Sequence, residues 1–384
     1  MKIAFYFTHP IKPDAGGTER VTHAIAEYLR NSGTDSVFIS LQPGHDIESG
    51  SQQYYLPCSD MLICDENLRF VHNLIRQNNI TVLINQDSFD AGNIFCSRQY
   101  FPEVKCVSVI HYNLYGSTKY VKDAITEKYL LGKTSSPKYI LQRILTPYYR
   151  FKAYRNRTSL LKSIYDNADH IILLSEADKA EYPVSDKRRL HVITNPVTIL
   201  PAPQRRIKEK RVLYVGRMVF APKRVDYLLR AWKIIEAYHP DWYLDILGDG
   251  GCKDYYISLA DKLGLHNITF FGNRSPQDYY QRASILCLTS SYEGFGLVLT
   301  EGMQEGAVPV AFDSYKAIRD IIQHEVDGLL VRPFDIQSFA NVILRLIEDE
   351  NLRHRLSDCA RNKVTKFGIE NIGRQWIYFL QSIC

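Results

Sequence analysis

The sequence predicts an α/β protein of two domains, each a parallel sheet covered on both faces by helices. Three observations predict it. The chain has 384 residues and a mass of 44.3 kDa, too long for one ordinary domain at about 100–200 residues each. Short continuous apolar runs alternate with amphipathic stretches, the pattern of strands buried on both faces between helices. A stretch with three prolines and then a charged run, residues 196–210, separates two halves that repeat the rhythm.

The first apolar run, 3–7, follows Lys2 and is broken by Thr8-His9-Pro10, so it reads as a strand and not as a signal peptide. Residues 18–31 put Val21, Ala24, Ile25, Tyr28 and Leu29 on one helical face, and Gly33 follows as a stop. Further strands are expected at 37–41, 81–85, 106–111, 170–175 and 191–194. The second half repeats with 211–215, 242–247, 268–271, 285–289, 308–312 and 329–331. The expected boundaries are a first Rossmann-like domain over 1–195, a linker over 196–210 and a second such domain over 211–365. An amphipathic segment over 366–384 closes the chain.

Hydrophobic residues make up 45% and charged residues 23%, a balance that excludes disorder. The formal net charge of +5 is modest for this size and does not support generic nucleic-acid binding. The eight cysteines are scattered without a Cys-x-x-Cys pair, as expected of reduced thiols in a cytoplasmic protein. No apolar run approaches the roughly 18 residues that span a bilayer.

In open parallel sheets, ligands bind beyond the C-terminal strand ends, where loops feed helix N-termini. After the first strand, Gly16-Gly17 open a helix and let backbone approach a phosphate or sugar; they read equally as a flexible cap. Gly294-Phe295-Gly296-Leu297-Val298 open another helix, expected to begin near Phe295, whose free N–H groups suit a diphosphate. Glu293 precedes that helix and Glu301 lies within it, facing either a cleft or solvent. Carboxylates there would accept sugar or ribose hydroxyls, or simply complement the helix dipole. Arg217 and Lys223 follow the strand 211–215 and suit a leaving diphosphate, though a solvated basic turn reads the same way. His111 ends a strand of the first half. Together these glycines, bases and acids fall at strand C-termini expected to face one interdomain cleft.

With these residues in place, the sequence resembles the retaining glycosyltransferases of family 4, which have the GT-B fold. The resemblance spans nearly the whole chain. It rests on Gly16-Gly17-Thr18-Glu19-Arg20-Val21, Asn195-Pro196-Val197, Gly216-Arg217, Lys223-Arg224-Val225-Asp226 and Leu247-Gly248-Asp249-Gly250. Glu293-Gly-Phe-Gly-Leu-Val-Leu-Thr-Glu301 resembles the family's most specific signature, two glutamates eight positions apart. The resemblance implies that Glu293 touches the donor sugar, that Glu301 binds the ribose diol, and that Gly294 to Val298 with Arg217 and Lys223 hold the diphosphate. It also places His111 against the transferred sugar and Gly16 and Gly17 near donor phosphates and acceptor. Two departures stand out. Lys223 lies six residues after Arg217, where five is commoner, and Asp313-Ser314-Tyr315-Lys316-Ala317 replaces the family's usual Gly-Gly turn. The segment after Ile369 resembles the tail that returns to the first domain.

The implied activity is hexosyl transfer with retention from a nucleotide-sugar, UDP-linked or alternatively GDP-linked, to a glycan or polyprenyl-diphosphate-linked acceptor in surface polysaccharide synthesis. No Asp-x-Asp is present, so no metal and no other cofactor is expected. Residues 133–162 carry eight Lys/Arg and no acid, interleaved with tyrosines. This patch suits an anionic membrane surface, which would place the protein on the inner face of the cell membrane; a polyanionic acceptor or an ordinary solvated helix pair fits the same residues. Rival readings are a disaccharide phosphorylase, a nucleotide-sugar epimerase or a non-catalytic binding module on the same fold.

Overall fold

The computed structural model describes residues 1–13, 16–44, 52–201 and 206–384, so part of the first glycine loop and part of the expected linker lie outside the described residues. The chain divides into two compact bodies. The first holds Met1–Leu114, Asn156–Thr198 and Lys366–Cys384, and the second holds Tyr115–Arg155 and Ile199–Thr365. Residues 115–155, expected in the first domain, therefore group with the second.

The first body is built on β1 (Lys2–Phe7), β2 (Asp35–Ser40), β3 (Gln52–Tyr55), β4 (Val82–Asn85), β5 (Lys105–Val109), β6 (His170–Leu173) and β7 (Leu190–Val192). All pair in parallel in the order β3-β2-β1-β4-β5-β6-β7. Each strand expected in this half is present. β3 is an addition: Gln52-Gln53-Tyr54-Tyr55 has no apolar run because it forms the sheet edge, half in contact with water. Phe5 pairs in register with Phe38 on one side and Ile84 on the other, and all three are buried. The helix Ile369–Ile383 packs against the helix Gly17–Asn31, where a Cβ on Gly373 would lie 2.1 Å from the Tyr28 ring.

The second body contains β8 (Glu209–Val215), β9 (Tyr243–Leu247), β10 (Ile268–Gly272), β11 (Ala283–Leu288), β12 (Val308–Phe312) and β13 (Leu329–Val331). Their order is β10-β9-β8-β11-β12-β13, again all parallel. Trp232, Tyr256, Phe312 and Phe339 fill its core. In each sheet the order reverses beside the first strand of that body: between β1 and β4, and between β8 and β11. Loops diverge at such a switch point and leave room for a ligand. The segments that follow β1, β4, β8 and β11 are therefore where chemistry is expected, and the candidate residues lie there or directly beside them.

Candidate active site

In the second body, β8 runs into Gly216-Arg217-Met218, pinned by backbone bonds from Gly216 N to Leu247 O at 3.0 Å and Met218 N to Asp249 O at 2.8 Å. A Cβ on Gly248, which sits at φ +131°, would lie 1.9 Å from the Gly216 carbonyl oxygen, so only glycine fits where the two strand ends meet. Arg217 is exposed and makes no ion pair among the described residues. Lys223 Nζ donates to Glu293 Oε1 at 2.6 Å, and Ser290 Oγ donates to the same oxygen at 2.6 Å. The Lys223 and Glu293 side chains are only 12% and 15% exposed, so their charges act in a medium less screening than water.

The helix Leu297–Gln304 starts after Gly296, whose φ of +110° turns the chain and whose place no side-chain cap fills. Leu299 N donates back to Gly296 O at 2.9 Å, and the start of the helix carries the positive end of its dipole with no side chain capping it. Tyr315 Oη braces this turn, donating to Phe295 O at 3.1 Å. Burial, with the Glu293 charge adding to it, pushes the Tyr315 hydroxyl well up and keeps it a donor. Glu301 lies in the second turn at 1% exposure, and Tyr280 Oη donates to its Oε2 at 2.9 Å.

Residues 115–155 fasten both loops. Glu127 Oε2 accepts from Ala221 N at 2.6 Å, beside the cis Ala221–Pro222 bond. Arg224 bridges Asp123 at 3.1 Å and Asp226 at 3.0 Å and lies over the rings of Phe220 and Tyr227. On the other loop, Tyr292 stacks parallel to Tyr120, and a Cβ on Gly116 would come within 2.5 Å of the Tyr292 ring. The loops after β8 and β11 are thus both held by one short stretch of chain.

In the first body, His111 follows β5 and pairs through Nε2 with Gln86 Oε1 at 2.5 Å. Gln86 Oε1 only accepts, which places the proton on His111 Nε2 and leaves Nδ1 an acceptor. Burial pulls the imidazole down to about 4, so the ring is neutral at physiological pH. His111 Nδ1, Asn85 Nδ2 and Gln86 Nε2 are buried without a hydrogen-bond partner among the described residues, an uncommon concentration at adjoining strand ends. Beside them Phe89, 43% exposed, stacks on Tyr112 at 4.2 Å, and the Arg157 guanidinium lies 4.6 Å from the Tyr112 ring centre. Gly16 precedes the helix Gly17–Asn31, again with no side-chain cap.

Two family models match: glycosyltransferase family 4 over residues 15–199 and glycosyl transferases group 1 over residues 199–363. The chain belongs to the family 4, group 1 glycosyltransferases. A Haemophilus influenzae protein described only as an uncharacterized glycosyltransferase is 28% identical over 369 residues, 94% of this chain and 95% of its own. The GalNAc-alpha-(1->4)-GalNAc-alpha-(1->3)-diNAcBac-PP-undecaprenol alpha-1,4-N-acetyl-D-galactosaminyltransferase of Campylobacter jejuni is 26% identical over 223 residues, 57% of this chain and 62% of its own. Anabaena HepE, solved in complex with UDP-glucose, superposes with a TM-score of 0.73 at 16% identity over 100% of both chains, a likeness of fold. That fold is GT-B.

In this glycosyltransferase, Arg217, Lys223, Glu293, Gly294 to Val298 and Glu301 all belong to the second body, and Gly16, Gly17 and His111 to the first. Lys223 and Glu293 touch despite the extra residue before Lys223. One expectation is corrected: the helix begins at Leu297, because Gly296 in the left-handed region cannot be part of it. For Glu301, where cleft and solvent were both open, the side chain is buried and meets Tyr280. Tyr280 and Glu127 were not expected at the site, since nothing in their neighbouring residues marks them; Arg224 lies inside the Lys223–Asp226 motif and Ser290 just ahead of Glu293, but neither was assigned a role. The departing loop 313–317 did carry a signal. Its Tyr315 braces Phe295, and Ser314 Oγ donates to Ser290 O at 2.6 Å.

Proposed function

We propose that the protein transfers a hexosyl group, with retention of configuration, from a nucleotide-diphosphate sugar to a saccharide or lipid-linked saccharide in surface polysaccharide synthesis. The observation that carries this reading is the Lys223–Glu293 pair beside the uncapped start of the helix Leu297–Gln304, with Arg217 exposed on the neighbouring loop. Breaking the bond from the anomeric carbon to the diphosphate leaves negative charge on the phosphate oxygens. Two cations and aligned N–H groups stabilise that charge more in the transition state than in the bound donor. Glu293, shared between Lys223 and Ser290, would accept a donor-sugar hydroxyl. Glu301, oriented by Tyr280, would accept the ribose diol. The acceptor hydroxyl would bond to the anomeric carbon on the face the diphosphate leaves, and its proton would pass to the departing phosphate oxygen. His111, neutral with Nδ1 as acceptor, would hold a hydroxyl of the transferred sugar, and the Phe89–Tyr112 pair offers an apolar face for an acceptor ring. These cations do the work of a metal ion, so the reaction is proposed to need none.

The likeness to HepE in complex with UDP-glucose favours a UDP-sugar over a GDP-sugar, and the Campylobacter relative's name favours a polyprenyl-diphosphate-linked acceptor. The test is the unfolding midpoint with UDP, GDP, ADP or inorganic phosphate. A ligand at about 100 times its Kd stabilises by about 2.7 kcal/mol, a shift of a few degrees. Selective stabilisation by UDP is expected; stabilisation by phosphate alone would favour a phosphorylase instead.

A further inference from the structure

The helices Ser136–Ile144 and Thr146–Asn167 carry an apolar face that the protein leaves uncovered. Ser136–Ile144 contains no buried residue, and Leu161 and Ile164 are the ones buried in Thr146–Asn167, both toward its far end. Yet Ile140, Leu141, Ile144, Leu145, Tyr148 and Phe151 follow one another at helical spacing across the joint between the helices. They range from 39% exposed at Leu145 to 70% at Ile144. Ordinary proteins bury or disperse such side chains, and a contiguous apolar face of this kind marks an interaction surface.

The flanking charges say what covers it. Lys133, Lys138, Arg150, Lys152 and Arg155 are exposed around the face, and residues 133–162 contain no acid. A second copy of this chain would bring basic side chains against basic side chains at the same face. An anionic lipid surface instead supplies both an apolar layer and negative head groups. We infer that this helical pair docks on anionic membrane, with Ile140, Ile144, Leu145 and Phe151 entering the head-group boundary and the surrounding lysines and arginines resting on lipid phosphates. The inference deepens the lipid-linked acceptor reading by naming the surface that meets the lipid. It is tested without donor or acceptor, so the two stand or fall separately.

The experiment is flotation of the full chain with vesicles of phosphatidylcholine alone or mixed with phosphatidylglycerol, at low and high salt. Binding is expected to the anionic vesicles at low salt and to fall as salt screens the head groups. The I144D/F151D double variant should lose about tenfold or more in partitioning, and R150E/K152E should lose selectivity for phosphatidylglycerol. Both sets of side chains are exposed, so unfolding midpoints should stay near that of the parent chain. Trp232, Trp242 and Trp376 are buried, so an I144W variant adds one exposed reporter. Its emission should shift to the blue and be quenched by brominated lipid. Binding indifferent to lipid charge, or an unquenched I144W emission on bound vesicles, would overturn the inference. Self-association without lipid that I144D/F151D abolishes, with no vesicle binding, would assign the face to a second copy.

Discussion

Lys223 Nζ and Ser290 Oγ both reach one oxygen of Glu293, so this carboxylate has a fixed position before any ligand arrives. Such preorganisation matters because a group that need not reorient costs nothing at the moment charge develops. Lys223→Ala is expected to lower kcat with the preferred nucleotide-sugar by about 10²–10³-fold, the usual range for losing one donor to a developing anion. Initial-rate kinetics check it, and an unchanged kcat would remove Lys223 from the reaction. Tyr280 plays the matching part for Glu301: a carboxylate at 1% exposure needs a donor, and a hydroxyl from a different helix supplies it.

At the scale of elements, one turn and one bridge decide the shape of the donor side. Gly296 holds φ +110°, and a Cβ there would lie 2.8 Å from Tyr315 Oη. Gly296→Ala is therefore expected to displace the start of the helix Leu297–Gln304 and raise the donor Kd several-fold, read by calorimetric titration with the nucleotide that stabilises the parent chain. Arg224 stands between Asp123 and Asp226 in a buried cluster. Burial pushes the Asp123 carboxyl up, against the pull of Arg224. Arg224→Ala would leave two buried carboxylates without their cation, a loss of about 3–5 kcal/mol by analogy with other broken buried pairs. Urea unfolding of the second body measures it, and a loss below about 1 kcal/mol would show that the cluster does not hold residues 115–155 in place.

For the molecule as a whole, the acid sensitivity that comes from lowered histidines falls on the first body. His111 and His191 are each pulled down to about 4, and His23 and His170 are also lowered, with burial the largest cause for all four. An unfolded histidine titrates at about 6.5, so between pH 6.5 and 4 the unfolded chain binds more protons than the folded one. Stability then rises with pH through this window, is complete above it, and is lost on acidification. The unfolding midpoint is expected to fall from pH 6.5 toward pH 4.5. His191→Asn should flatten part of that slope, because His191 lies against His170 and the Phe379 ring of the C-terminal helix.

The strands of both sheets were legible because a strand buried on two faces must be apolar along its whole length, and that constraint is written locally. Glu293 and Glu301 were legible for a similar reason: their spacing and the glycines between them are fixed by one turn and the helix it opens. β3 was not, since an edge strand of Gln and Tyr carries no such run. The grouping of 115–155 with the second body was also hidden. It depends on Arg224 meeting Asp123 across 101 positions and Ala221 meeting Glu127 across 94, and no local pattern encodes partners so far apart. The segment 133–162 shows both sides. Its charge could be counted along the chain, but whether Ile144 and Phe151 were core or surface depended on whether folding brought anything to cover them. Local order is set by neighbours along the backbone; burial and pairing are set by neighbours in space, and those exist only once the chain has folded.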